Sequence, residues 1–226
     1  MGNSIEALKT KNLYSYPNHS IAYPLLSQFE YPWQALKSIS QFILEIGKEL
    51  SPEEYVDAGE NIWISKTAKV APTAYICGPC IIGHETEVRH CAFIRGNAIV
   101  GNGCVVGNSC ELKNCILFDS VQVPHYNYVG DSVLGYKSHM GAGSITSNVK
   151  SDKTPVIVHC VNESIDTGLK KFGAMLGDYV EVGCNSVLNP GTVVGSGSNI
   201  YPLSSVRGFV PANSIHKSKD NIVQKR

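Results

Sequence analysis

Charge is scarce in this chain, and it is balanced. Lys and Arg together number 19, Asp and Glu 19, and only 17% of residues are charged. With no broad field of either sign, neither nucleic acid nor an anionic membrane is expected as a partner. Long apolar runs are also missing. No stretch approaches the roughly 18 residues of a membrane span, and the N-terminus has no signal-peptide core. Met1-Gly2 resembles a myristoylation start, but Glu6 stands where Ser or Thr is required. A cytoplasmic protein is the expectation. Metal-type spacing is lacking too. Of the eight cysteines, Cys77 and Cys80 form a CxxC with no second one to match, and a structural zinc needs four converging ligands. No metal is expected, and the cysteines read as reduced, small packing residues. Finally, no Gly-rich strand-to-helix loop precedes Ile64, so nucleotidyl transfer is not expected of this stretch.

What is present is a period of six. Ile64, Val70, Ile76, Ile82, Val88, Ile94, Val100, Val106 and Leu112 are all aliphatic, and mostly small residues follow four places later. Six is not the helical 3.6, and it is a multiple of the strand period of two. It fits short strands that turn a corner at every repeat: a parallel β-helix of hexapeptides. Three hexads make an 18-residue coil, and coils stack at roughly 4.8 Å. A β-sandwich is the competing reading, but its strands do not keep a strict six-step. In this register Cys80, Cys104 and Cys110 lie on three different sides, stacked on Ala98, Thr86 and Ala92, so no two of them meet.

Before the repeat lies an irregular lead-in. From Tyr31 the pattern turns helical, with Trp33, Leu36, Ile39, Phe42, Ile43 and Ile46 at threes and fours. This helix is expected to cover the first coil, and a second short helix is expected after Ser51-Pro52. Residues 1–60 thus form a lead-in and helical cap, and 61–212 the β-helix. The repeat slips by one residue twice between Leu112 and Met140, then breaks over 147–175, a loop containing Lys150, Lys153, Lys170 and Lys171. It resumes at Leu176, Val182, Leu188, Val194, Ile200 and Val206, for about seven coils, and ends at Val210-Pro211. Residues 213–226 are expected to be a loose basic tail.

The register also makes a chemical suggestion. Arg95 and Lys113 both follow an inward aliphatic and are 18 apart, so they stack on one side. Two cations that close favour an anion between them. One coil on stands Gly130, which leaves space, and His125 lies around the same corner. A paired-cation shelf beside a histidine suits a phosphorylated substrate and a general base. Solvated surface cations and a structural histidine are the plainer alternatives.

Three segments carry a family resemblance: Val106-Gly107-Asn108-Ser109-Cys110-Glu111-Leu112-Lys113, His125-Tyr126-Asn127-Tyr128-Val129-Gly130-Asp131, and Gly141-Ala142-Gly143-Ser144-Ile145-Thr146-Ser147-Asn148. In order and spacing they resemble the acetyltransferase domain of the bacterial bifunctional glucosamine-1-phosphate acetyltransferase/N-acetylglucosamine-1-phosphate uridyltransferase. Thr167 to Ala174, with Gly177-Asp178, is similar to archaeal-type sugar-1-phosphate nucleotidyltransferases. The resemblance runs from about Tyr31 to Val210. It implies an all-β, left-handed parallel β-helix with a short N-terminal helical segment, working as a homotrimer with sites between subunits. It also implies acetyl-CoA-dependent N-acetyl transfer to an amino-sugar 1-phosphate. By position, His125 matches the general base, Arg95 and Lys113 the sugar-phosphate contacts, and Tyr128 and Asn148 the sugar and acetyl contacts. His139 stands where the family has Asn, and Lys153 lies beside Thr154, where a loop lysine is expected. Cys184 falls at the thioester end of acetyl-CoA, and Lys217 near the coenzyme's phosphates. Those departures keep open a non-catalytic trimeric β-helix module. His84, His90 and His125 raise a β-helix metal hydrolyase, although the register puts His84 and His90 on different sides.

Overall fold

The computed structural model describes residues 5–160 and 163–225. From Ile62 onward the chain winds as an all-β, left-handed parallel β-helix with three sides. The inward aliphatics stack in register. On the first side Ile64 pairs with Ile82, Ile82 with Val100, and Val100 with Leu117. On the second, Val70 pairs with Val88 and Val88 with Val106. On the third, Ile76 pairs with Ile94 and Ile94 with Leu112. Most of these side chains have no accessible surface, so the interior is a dry aliphatic prism. The two slips are real. Leu112 pairs with Val129 and Leu117 with Leu134, so these coils take 17 residues rather than 18. The tightened corners run through Asn114 and Asp131, both at φ 49, a left-handed conformation that Asn and Asp tolerate better than other non-glycine residues.

The prism does not stop at Val210. Phe209–Val210 pairs with Val193–Val194, and Ser214–Ser218 pairs with Asn199–Ile200. Ser214–Ser218 then forms an antiparallel hairpin with Asn221–Gln224. The segment expected to be a loose tail is therefore strand, because alternate residues still find a coil to stack on. His216 pairs with Ile200 and so takes an inward position that is apolar in the preceding coils of that side, from Val70 through Met140 to Ile200. The 147–175 excursion leaves the prism and holds its own hairpin, Ile157–His159 with Ser164–Asp166. The amide of Phe172 donates to Asn148 O and closes the loop. All eight cysteines are free, with Cys80 stacked on Ala98.

The lead-in takes a different place from the one expected. Its described residues hold three short α-helices, α1 (Thr10–Leu13), α2 (Tyr23–Leu26) and α3 (Ile39–Ile46), interspersed with four 3₁₀ turns. Instead of covering the first coil's open end, it lies along the first side. Tyr14 stacks on Phe118 at 5.0 Å, and its hydroxyl donates to Val133 O. Trp33 stacks on Phe172, and α3 packs on the strands Ala98–Val100 and Glu111–Leu117. The reason is a second apolar column. Trp63, Ile81, Ile99, Ile116, Val133, Met175, Val193 and Phe209 stack in register one residue before the inward set, and so point outward. The first seven are buried, and the lead-in packs over the middle of the column, on Ala98–Val100, Glu111–Leu117 and Tyr128–Leu134. The first coil's edge is covered instead by Tyr55–Asp57, antiparallel to Ile62–Ser65. The short helix expected after Ser51-Pro52 is one turn. Ser51 Oγ accepts from the Glu53 amide, and the chain goes straight into that edge strand.

Candidate active site

The third side carries the cation shelf. Arg95 follows Ile94, and Lys113 pairs with Gly130 one coil on. Neither cation stands open. Arg95 Nη1 donates to Glu111 Oε1 at 2.7 Å, and this bond raises the arginine's pKa. Lys113 Nζ donates to both carboxylate oxygens of Asp131, at 3.2 and 3.0 Å. Two amides also donate to that carboxylate, Asn114 Nδ2 at 2.9 Å and Asn148 Nδ2 at 2.5 Å. Asn148 Nδ2 reaches Tyr128 Oη as well, at 3.1 Å. Burial of the phenol raises the pKa of Tyr128. The anion between the cations is thus supplied in part by the chain's own Glu111 and Asp131. The gap expected over Gly130 is also filled. A Cβ there would run into the Tyr128 hydroxyl and come within 2.9 Å of Asn148 Nδ2. Lys113, Tyr128 and Asn148 therefore form one polar network around a buried aspartate, with Arg95 beside it.

His125 ends the strand Gln122–His125 at the corner between the second and third sides. Its amide donates to Asn127 Oδ1, and its carbonyl accepts from the Gly143 amide. Its side chain is exposed, and among the described residues the ring has no hydrogen-bond partner. The same corner continues along the prism. The Asn185 amide donates to Ala142 O, and the Leu203 amide to Cys184 O. Cys184 is exposed on it. Lys217 sits on the last coil, with Nζ 5.9 Å from the Tyr201 ring centroid. His125, Cys184 and Lys217 therefore share one edge, spread over four coil steps or roughly 19 Å.

His139 and Lys153 do not join this group. Gln122, not His125, is the strand partner of His139, which starts its strand about three residues, or roughly 10 Å, from the His125 corner. Its Nδ1 lies 2.9 Å from Glu181 Oε2. Lys153 is an exposed turn residue of the excursion. His84 and His90 bond to Ser65 and Thr73, respectively. Among the described residues no three His, Cys, Asp or Glu side chains converge as a metal site would require. Sequence reasoning missed Asp131 and Glu111. The signal was available: Glu111 precedes Lys113 by two residues, which points both side chains to the same side of the strand.

The sequence profile of the GMPPB C-terminal domain matches residues 76–196, more than half of the chain. The chain belongs to that family. Curated relatives extend the likeness. "Bifunctional protein GlmU" of Methanococcus maripaludis is 33% identical over 195 residues, which is 85% of this chain and 47% of the relative. "Bifunctional sugar-1-phosphate nucleotidylyltransferase/acetyltransferase" of Sulfurisphaera tokodaii is 35% identical over 92 residues, 41% of this chain and 23% of the relative. The chain spans about half the length, or less, of these relatives. Among solved structures, a putative acetyltransferase of Bacillus cereus shares 19% identity over 73% of this chain and 77% of that one, with a TM-score of 0.41. The matched span takes in the cation shelf, the His125 corner and Cys184. No helix of the described residues is long and apolar enough to cross a membrane.

Proposed function

We propose that this chain is an acyltransferase that moves an acetyl group from acetyl-CoA to the amine of a phosphorylated amino sugar resembling glucosamine-1-phosphate. The observation that carries the reading is the exposed ring of His125, unpartnered among the described residues, at the corner that leads into the strand holding Tyr128 and Asp131 of the Lys113–Asp131–Asn148–Tyr128 network. The imidazole there takes the proton as the sugar amine attacks the thioester carbonyl. The C–N bond forms, the C–S bond breaks, and the sulfur leaves as the thiol once protonated. Arg95 and Lys113 hold the sugar phosphate. Arg95 has donors left over because Glu111 takes only Nη1. Tyr128 and Asn148 orient the sugar. Acetyl-CoA lies along the edge from Cys184 to Lys217, and main-chain N–H groups there stabilise the oxyanion. His139 and Lys153 act on the substrate of a neighbouring subunit in a homotrimer, which is why they lie apart from the network within one chain.

Thiol release is measured against a panel of amino-sugar 1-phosphates, with wild type beside His125→Ala and circular dichroism as the folding check. Turnover with one acceptor that falls about 10²–10⁴-fold in the variant is expected. Undiminished turnover in His125→Ala sinks the assignment of the base. One observation favours a second reading, a non-catalytic module: both shelf cations are already ion-paired. A folded protein that binds no acetyl-CoA by calorimetry would decide for it.

A further inference from the structure

The last coil is incomplete. Its first side has Phe209–Val210 and its second Ser214–Ser218, but the third side ends one coil earlier, at Ser205–Val206. The missing strand leaves a notch, a cavity of about 400 Å³ at the end of the prism. Arg207, Lys219, His159 and His216 line it, along with the apolar side chains of Phe209 and Ile222. Among the described residues no carboxylate lines it, and Asp220, next to Lys219 in the hairpin turn, does not either. Among the described residues none of the four basic groups makes an ion pair. Arg207 and Lys219 thus stand at the end of the prism as two full positive charges without an ion-pair partner among the described residues.

His216 marks the notch as more than an unfinished end. It is 4% exposed, in a column that is apolar in the preceding coils, and among the described residues its Nδ1 has no hydrogen-bond partner. A buried polar atom without a partner is destabilising, a cost that the apolar residues of the other coils avoid. Burial also holds the imidazole's pKa below its usual value, so it is a neutral donor or acceptor at the cavity wall.

We propose that the notch binds an organic phosphate, a phosphomonoester carried on a flat or apolar body, at a site separate from the His125 corner. Arg207 and Lys219 bring two full positive charges, which match the dianion of a phosphomonoester, whereas a carboxylate would leave one uncancelled. The guanidinium presents a planar fork to two phosphate oxygens. Phe209 and Ile222 give the organic body an apolar wall. The volume suits a small ligand and lies at the low end of small-molecule sites. The assignment does not depend on acetyl transfer.

Calorimetric titration of the full chain with AMP and with inorganic phosphate tests it, alongside histidine-ring NMR. AMP is expected to bind at least tenfold tighter than phosphate and to shift the His216 ring signals. Arg207→Ala with Lys219→Ala, both exposed positions, is expected to weaken AMP at least tenfold. His216→Val, which restores the column, should weaken AMP while raising the melting temperature. No binding at 10 mM of either probe (about the ceiling of a ~3 kcal/mol interaction), or binding undiminished in the double variant, overturns the site. AMP no tighter than phosphate overturns the organic body. Competition by coenzyme A would merge the notch with the coenzyme edge and overturn its separateness.

Discussion

Asp131 is the point on which the network turns, and Asp131→Asn tests it. The carboxylate is 5% exposed and the Lys113 side chain 23%. Every partner of Asp131 is a donor: Lys113 Nζ to both oxygens, Asn114 to one and Asn148 to the other. An amide in its place must aim its own NH2 at one of those donors, and it leaves Lys113 without a counter-charge. Removing one partner of a fully buried pair costs about 3–5 kcal/mol. Because Lys113 keeps some contact with water, about 2–4 kcal/mol is the reasonable figure here. For a chain of this length each kcal/mol moves the melting temperature by about 2–4 °C, so a drop on the order of 10 °C is expected. Urea melts of wild type, Asp131→Asn, Lys113→Met and the double variant close a cycle. The double variant should recover part of the loss, since the uncompensated lysine is gone. A loss below about 0.5 kcal/mol for Asp131→Asn, with no coupling to Lys113, would refute the picture of a buried aspartate organising this shelf.

Three further outcomes follow from the fold. Ile99→Ala, in the outward column under the lead-in, should cost about 2–5 kcal/mol in a urea melt. Lys69→Ala, on the exposed second side, should stay within about 0.5 kcal/mol, and equal effects would mean that the lead-in does not seal the first side. Gly130→Ala should force Tyr128 and Asn148 apart and destabilise by about 1–3 kcal/mol, read as a lower melting temperature. His216 should make stability pH-dependent with a definite sign. Its folded pKa lies below the usual 6.5, so between those two values the unfolded chain holds more protons and stability rises with pH. The full stability is reached above about 6.5 and is lost on acidification. His216→Val should flatten that slope in melts taken between pH 5 and 7.5.

The six-step made the interior legible because a closed prism admits only apolar inward residues. It also located the two tightened coils, since a 17-residue coil shows directly as a five-residue step. The covered side was written in the sequence as well, in doublets such as Ile81-Ile82, Ile99-Val100, Ile116-Leu117, Val133-Leu134 and Val193-Val194. The second member of each keeps the period, and the first gives away a side that needs a cover. Counting only the periodic member hid the destination of the lead-in. The end of the prism was misjudged because His216 is not aliphatic, and a search for aliphatics stops one position too soon. The shelf was half legible. Register stacked Arg95 under Lys113, but Asp131 enters the network from a corner whose left-handed backbone the residue type alone does not announce. The network also depends on Asn148, 17 residues further on.

A stack of coils held only by nearest neighbours need not unfold as one body, for each coil touches only the next and fraying can travel inward from either end. The lead-in changes that connectivity. Its Leu13 carbonyl accepts from Ser196 Oγ, its Ser15 amide donates to Asp178 Oδ2, its His19 carbonyl accepts from the Asp119 amide, and α3 lies over Ala98–Val100. One segment thus ties early coils to late ones, so the loss of an end coil is felt in the middle. Native-state hydrogen exchange on the full chain should show amides of distant coils opening with a shared free energy. Once the lead-in is detached, protection should become graded, lowest at the ends and highest at the centre.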